Sequence, residues 1–151
     1  MKKVICMLLA ALMALSLAAC GSGSANSGKQ TASAYLNQSE DVAVEVTVDL
    51  SGGWSVEFAR GAAYLYDGGI TEGKEGVAML ITLEKEVYED HLANAMADGS
   101  HKEADGGVYF DHYGDGGYLT SLDDSAYILI TATNKKDIEA IVARFALSPA
   151  D

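Results

Sequence analysis

Three groups of side chains in this sequence have the types from which chemistry is built. Asp111, Asp115, Asp123 and Asp124 crowd one short stretch, and carboxylates gathered this way can hold a divalent cation. His91, His101 and His112 supply imidazoles that could bind a metal or move a proton. Gly68-Gly69-Ile70-Thr71-Glu72-Gly73-Lys74 has the glycine and lysine spacing of a loop that cradles phosphate.

The phosphate reading fails on its own neighbours. Glu75 stands where a hydroxyl must meet magnesium, and the segment leads into the apolar run Val77 to Leu83 rather than a helix. Neither Asp98-x-Ser100-x-Lys102 nor Asp111-x-Tyr113-x-Asp115 places the ligands of a calcium hand. The Asp-Gly-Gly triplets at Asp67, Asp105 and Asp115 read first as hairpin turns, since both residue types accept positive φ. A cation site built in space from Asp111, Asp115, Asp123 and Asp124 is the alternative. No histidine pair has the spacing of a zinc helix, and no serine sits in a nucleophile elbow. His91 flanks an apolar helical stripe and reads as a packed side chain. His101 falls in a charged loop, and His112 alternates with aspartate and tyrosine along a strand.

The elements that must position these residues follow from periodicity. Val42, Val44, Val46, Val48 and Leu50 alternate with Ala43, Glu45, Thr47 and Asp49, a half-buried strand. Trp54, Val56 and Phe58 repeat the pattern after Ser51-Gly52-Gly53, and Ala62 to Asp67 follows as a third strand. Val77 to Leu83 and Tyr127 to Thr131 are apolar on both faces, as central strands are. Val108 to Tyr113 and Tyr118 to Leu122 make a hairpin around residues 114–117. Tyr88, Leu92, Ala95 and Met96 give one stripe of a helix over about 86–98. Ile138, Ile141, Val142 and Phe145 give the stripe of a second, capped by Asn134 and ended before Pro149. These elements predict an α+β fold: a single domain with a mainly antiparallel sheet of about six or seven strands and two helices packed on one face. The order of elements, with Gly53-Trp54-Ser55-Val56-Glu57-Phe58 near its start, resembles the Mog1/PsbP-like fold. That resemblance implies a topology and no activity.

The first residues carry a different message. Lys2 and Lys3 precede the apolar run Val4 to Leu17, which is shorter than the roughly 20 residues of a membrane span. Leu17-Ala18-Ala19-Cys20 closes the run and resembles the lipobox of bacterial lipoproteins. The resemblance implies cleavage after residue 19, a diacylglyceryl group on Cys20, and localisation on the extracytoplasmic face of the cell membrane through that anchor. Residues 1–19 are thus expected to be a signal peptide, 20–34 a Gly/Ser-rich tether, and 35–151 the folded domain. Cys6 leaves with the signal, so the domain has no thiol for a disulfide, a zinc site or a nucleophile.

Charge narrows the partners. Ten basic and 22 acidic residues give a net charge of −12, and removal of Lys2 and Lys3 makes the domain more acidic still. Such a surface repels nucleic acid. No cofactor motif is present. On strand alternation, Tyr109 and Tyr113 share a face, as do Tyr64 and Tyr66, and an aromatic patch from these four would suit a basic peptide or a glycan. The sequence therefore predicts a non-catalytic binding or accessory module that meets an envelope protein, basic peptide or glycan. Its alternative is an extracytoplasmic enzyme or divalent-cation-dependent protein using the Asp/His cluster at 111–124.

Overall fold

A computed structural model of the chain describes residues 30–38 and 42–150. Within them, ten strands form two antiparallel sheets. The smaller sheet has β1 (Thr31–Asn37), β2 (Ala43–Asp49) and β10 (Phe145–Pro149), in the order β1-β2-β10. The larger has β3 (Ser55–Ala59), β4 (Ala62–Tyr66), β5 (Ala78–Leu83), β6 (Lys102–Ala104), β7 (Gly107–His112), β8 (Asp115–Leu122) and β9 (Ala126–Ala132). Its order is β3-β4-β5-β9-β8-β7-β6. Helix α1 (Lys85–Ala97) follows β5, and a 3-10 turn (Lys135–Asp137) leads into the short helix α2 (Ile138–Val142). The class is α+β, mainly antiparallel sheet.

The strands that are apolar on both faces explain the layers. In β9, Ile128 and Ile130 face inward to meet Val44, Val46 and Val48 of β2, all fully buried. Each such side chain contributes roughly 1.5–3 kcal/mol by leaving water. Tyr127 and Leu129 point the other way and are covered by Tyr88, Leu92 and Ala95 of α1. Helix α2 sends Ile138 and Ile141 into the inner core. The two helices therefore lie on opposite faces of the large sheet, not on one. The small sheet takes the inner position that a second full helix was expected to fill.

Two further expectations change. β1 begins at Thr31, so the segment 31–34, read as the end of the tether, belongs to the fold. Ala32, Ala34 and Leu36 alternate inward, and Ser33 Oγ lies 2.7 Å from Thr47 Oγ1 across the pair. The second helix stops at Val142, and Phe145 pairs with Val48 as a strand residue. Arg144 turns the chain: its guanidinium donates to the carbonyls of Asp49 and Ser51, at 3.0 and 3.1 Å, and stacks over Trp54. Asn134 does accept from the backbone N–H of Lys136, as its capping role requires.

The β7–β8 hairpin turns at Tyr113-Gly114, two residues earlier than a turn centred on residues 114–117. Tyr113 and Gly114 have φ of 55° and 98°, the paired positive values of a tight two-residue turn. Gly116 and Gly117 consequently lie inside β8, where close approach requires them. A Cβ on Gly116 would stand 2.8 Å from both Ile138 Cβ and Lys135 Cα, and one on Gly117 would meet the ring of Phe110 at 2.6 Å.

Candidate functional site

The small sheet is too narrow to cover the inner face of the large one. Beside β10 and α2, the inner faces of β7 and β8 line a cleft of about 410 Å3 whose walls are largely buried, Tyr109, Tyr118 and Thr120 being 5, 3 and 7% exposed. Leu122 and Ile130 form its floor, with Val142, Phe145 and Leu147 opposite. One end is polar. Tyr109 Oη donates to Asp105 Oδ2 at 2.7 Å, and Tyr118 Oη donates to the Asp105 carbonyl at 2.6 Å. Thr120 Oγ1 donates to the Gly106 carbonyl at 3.0 Å. Three hydroxyls thus converge on the Asp105-Gly106 turn, and the two tyrosine rings pack 4.6 Å apart.

The electrostatics follow from this burial. Desolvation, and then the bond to Asp105, push the Tyr109 phenol well above its ordinary value. Burial also raises the pKa of Tyr118. Both hydroxyls stay protonated at neutral pH and spend their protons on the turn. Lys102 lies 5.7 Å from the Tyr109 ring centre, and its ammonium donates to Glu139 Oε1 at 2.9 Å, linking β6 to α2 across the rim. The Glu139 bond raises the Lys102 pKa. The cleft so presents an apolar interior, an anionic acceptor in Asp105 and no activated nucleophile. It can hold an apolar group that carries a donor or a cation.

The tyrosine patch expected from alternation is not assembled. Tyr109 is 5% exposed and faces the cleft, while Tyr113 sits in the hairpin turn, 91% exposed. Tyr64 and Tyr66 lie on the opposite face of the large sheet, in register with Met79 and Ser55. Tyr66 Oη donates to Glu57 Oε2 at 3.1 Å. Alternation separated Tyr109 from Phe110 correctly, but the positive φ of Tyr113 breaks the alternation at the turn. Nor do the four aspartates meet. Asp111 and Asp115 flank one end of β8 and Asp123 and Asp124 the other, about 25 Å away at some 3.3 Å per residue. Asp111 accepts from the Gly114 N–H and the Lys135 ammonium, at 2.7 and 3.1 Å, which lower its pKa in that order. Among the described residues, no group of three or more acidic, histidine or cysteine side chains is arranged to hold a metal. Cys20 lies outside the described residues.

No family model, curated protein or solved structure matches this chain. The site thus rests on geometry alone. Sequence reading took Asp105 only for a turn residue and gave Tyr118 and Thr120 no part in a site. Tyr118 and Thr120 alternate on β8 toward the same side, a signal that was available, whereas the approach of Asp105 to Tyr109 depends on the tight turn between them. The histidines divide too. His101 Nδ1 lies 2.8 Å from the Asp98 carbonyl, whereas His91 on α1 and His112 on β7 come together, ring centres 5.5 Å apart. Burial first, then His91, holds the His112 pKa below its ordinary value, against the pull of Asp115 and Asp111. Among the described residues, no helix is long and apolar enough to cross a membrane.

Proposed function

We propose that this chain is a lipid-anchored binding domain of the cell envelope. It is held at the extracytoplasmic face of the membrane through Cys20 and takes part of a basic peptide segment into the interlayer cleft. The observation that carries the binding role is the cleft itself, an apolar slot of about 410 Å3 ending at the Asp105 carboxylate. An apolar side chain fits its interior, and a neighbouring basic group meets Asp105 within the field of a strongly acidic domain. A sugar would find polar partners only at the Asp105 end, where the three hydroxyl protons are already donated to the turn, so a glycan fits less well. The anchor is supported by the order of Lys2 and Lys3, the apolar run and Leu17-Ala18-Ala19-Cys20. The enzymatic alternative loses ground because the aspartates of 111–124 stand at opposite ends of β8.

Two experiments test the two halves. Cys20→Ser should abolish fatty-acid labelling and membrane attachment while leaving the domain folded, and equal label on both proteins would refute the anchor. For the cleft, basic and acidic amphipathic peptides are titrated while the amide spectrum is followed. Basic peptides should shift Tyr109, Tyr118, Leu122 and Leu147, more weakly at high salt, and Ala143→Trp at the rim should block them. Shifts mapping elsewhere, or equal response to acidic peptides, would overturn the assignment.

A further inference from the structure

The pair formed by His91 and His112 lies outside the cleft, beside Asp111 and Asp115. His91 projects from α1, and His112 from the last position of β7, on the sheet face that α1 covers. Both line a cavity of about 260 Å3 shared with Asn94 and Tyr113. Among the described residues neither imidazole makes a hydrogen bond or an ion pair, unlike His101, which is spent on its own loop. The rings are partly exposed, so water and ions reach them.

Their separation fits a shared ion. Imidazole nitrogens bind zinc at about 2.0–2.1 Å, which puts each ring centre roughly 3.2 Å from the metal. Two such rings at a tetrahedral or slightly wider angle have centres about 5–5.5 Å apart. The observed ring-centre separation of 5.5 Å lies at the upper end of that range, so rotating the two rings to turn one nitrogen of each toward the ion is the adjustment that binding requires. Each ligand also sits on a regular element, one turn from the buried Ala95 on α1 and in register with Asp115 on the hairpin. Asp115 shares the face of His112, so its carboxylate adds favourable potential for a cation.

We propose that His91 and His112 form a two-imidazole site for a borderline transition-metal ion, Cu2+, Ni2+ or Zn2+, which clasps α1 to the β7–β8 hairpin with water in its remaining positions. Imidazole pairs prefer such ions, with copper first, over Mg2+ and Ca2+, which take oxygen ligands. The site is independent of the cleft and its ligand.

The test is calorimetric titration of the purified, folded chain with each chloride salt in turn. One ion per chain should bind, Cu2+ most tightly, then Ni2+ and Zn2+, with no heat from Mg2+ or Ca2+. His91→Gln and His112→Gln should each weaken binding roughly tenfold or more, and His101→Gln should leave it unchanged. A second measurement does not depend on variants. Substoichiometric Cu2+ should broaden the imidazole proton resonances of His91 and His112 before those of His101. No saturable binding at sub-millimolar metal, binding retained by the double variant, or equal broadening of all three histidines would each overturn the proposal.

Discussion

Gly116→Ala is the sharpest probe of how the inner layer is held. The added Cβ would lie 2.8 Å from Lys135 Cα and 2.8 Å from Ile138 Cβ, with Ile138 Cγ2 at 3.3 Å. One of these neighbours is backbone and the other a branch point, so no side-chain end can swing aside. The 3-10 turn and α2 must lift from β8 together. Such overpacking costs about 1–3 kcal/mol. Alanine also restricts the unfolded chain, which returns about 0.4–1 kcal/mol. The steric cost prevails, leaving a net loss of about 1–2 kcal/mol, or roughly 5–10 °C in melting temperature for a domain of this size. The control is Gly99→Ala, whose Cβ would meet nothing within 4 Å. Melting is followed by circular dichroism and by emission of Trp54, the only tryptophan, which stacks on Arg144 two residues beyond α2. An unmoved midpoint with unchanged Trp54 emission would refute the packing of α2 on Gly116.

Further outcomes can be stated briefly. Phe145→Ala should cost about 2–3 kcal/mol, less than the 3–5 of a fully buried phenylalanine, because its ring is half-buried against the inner core. Chemical denaturation would measure it, and a loss below about 0.5 kcal/mol would contradict the pairing of β10 with β2. Tyr109→Phe should cost about 1 kcal/mol at neutral pH by deleting the bond to Asp105. The same residue governs the alkaline limb. Its folded pKa is raised above the ordinary 10.0, so its contribution is intact below that pH and is lost as pH rises through the folded value. Melting temperatures measured from pH 9 upward should fall less steeply in Tyr109→Phe, and identical slopes would rule the linkage out.

How much of this was legible differs from element to element, for physical reasons. β2, β5 and β9 could be read directly because burial enforces a period of two on one wet-faced strand and continuous apolar runs on two central ones. Those runs also held the layering: a strand apolar on both faces needs a cover on both, and Tyr127-Ile128-Leu129-Ile130 has one on each side. Assigning both helices to one face overlooked that requirement. β10 was hidden because Ile138, Ile141, Val142 and Phe145 satisfy helical spacing although the chain leaves the helix at Val142. β1 was hidden by its small residues, since Thr31-Ala32-Ser33-Ala34 alternates too weakly to stand out from a Gly/Ser run. The cleft follows from the widths of two sheets, and the His91–His112 contact from the docking of α1 on β7. Neither is written in local spacing.

The position of β10 has a consequence for how the domain reaches its fold. β2 lies between β1, its neighbour in the chain, and β10, which contains almost the last described residues. The large sheet is stitched mostly by hairpins whose partners meet early. The inner layer instead waits for a loop closure spanning nearly the whole domain, and such non-local pairings slow folding. Val44, Val46 and Val48 can collapse onto β9 before that, but their strand keeps an open edge until Phe145 to Pro149 arrives. A chain in which Phe145 to Pro149 has not yet docked on β2 would carry a nearly finished seven-stranded sheet beneath an unsealed lid. That makes β10 the latch of assembly, and the half-closed sandwich the species most prone to pair with another chain.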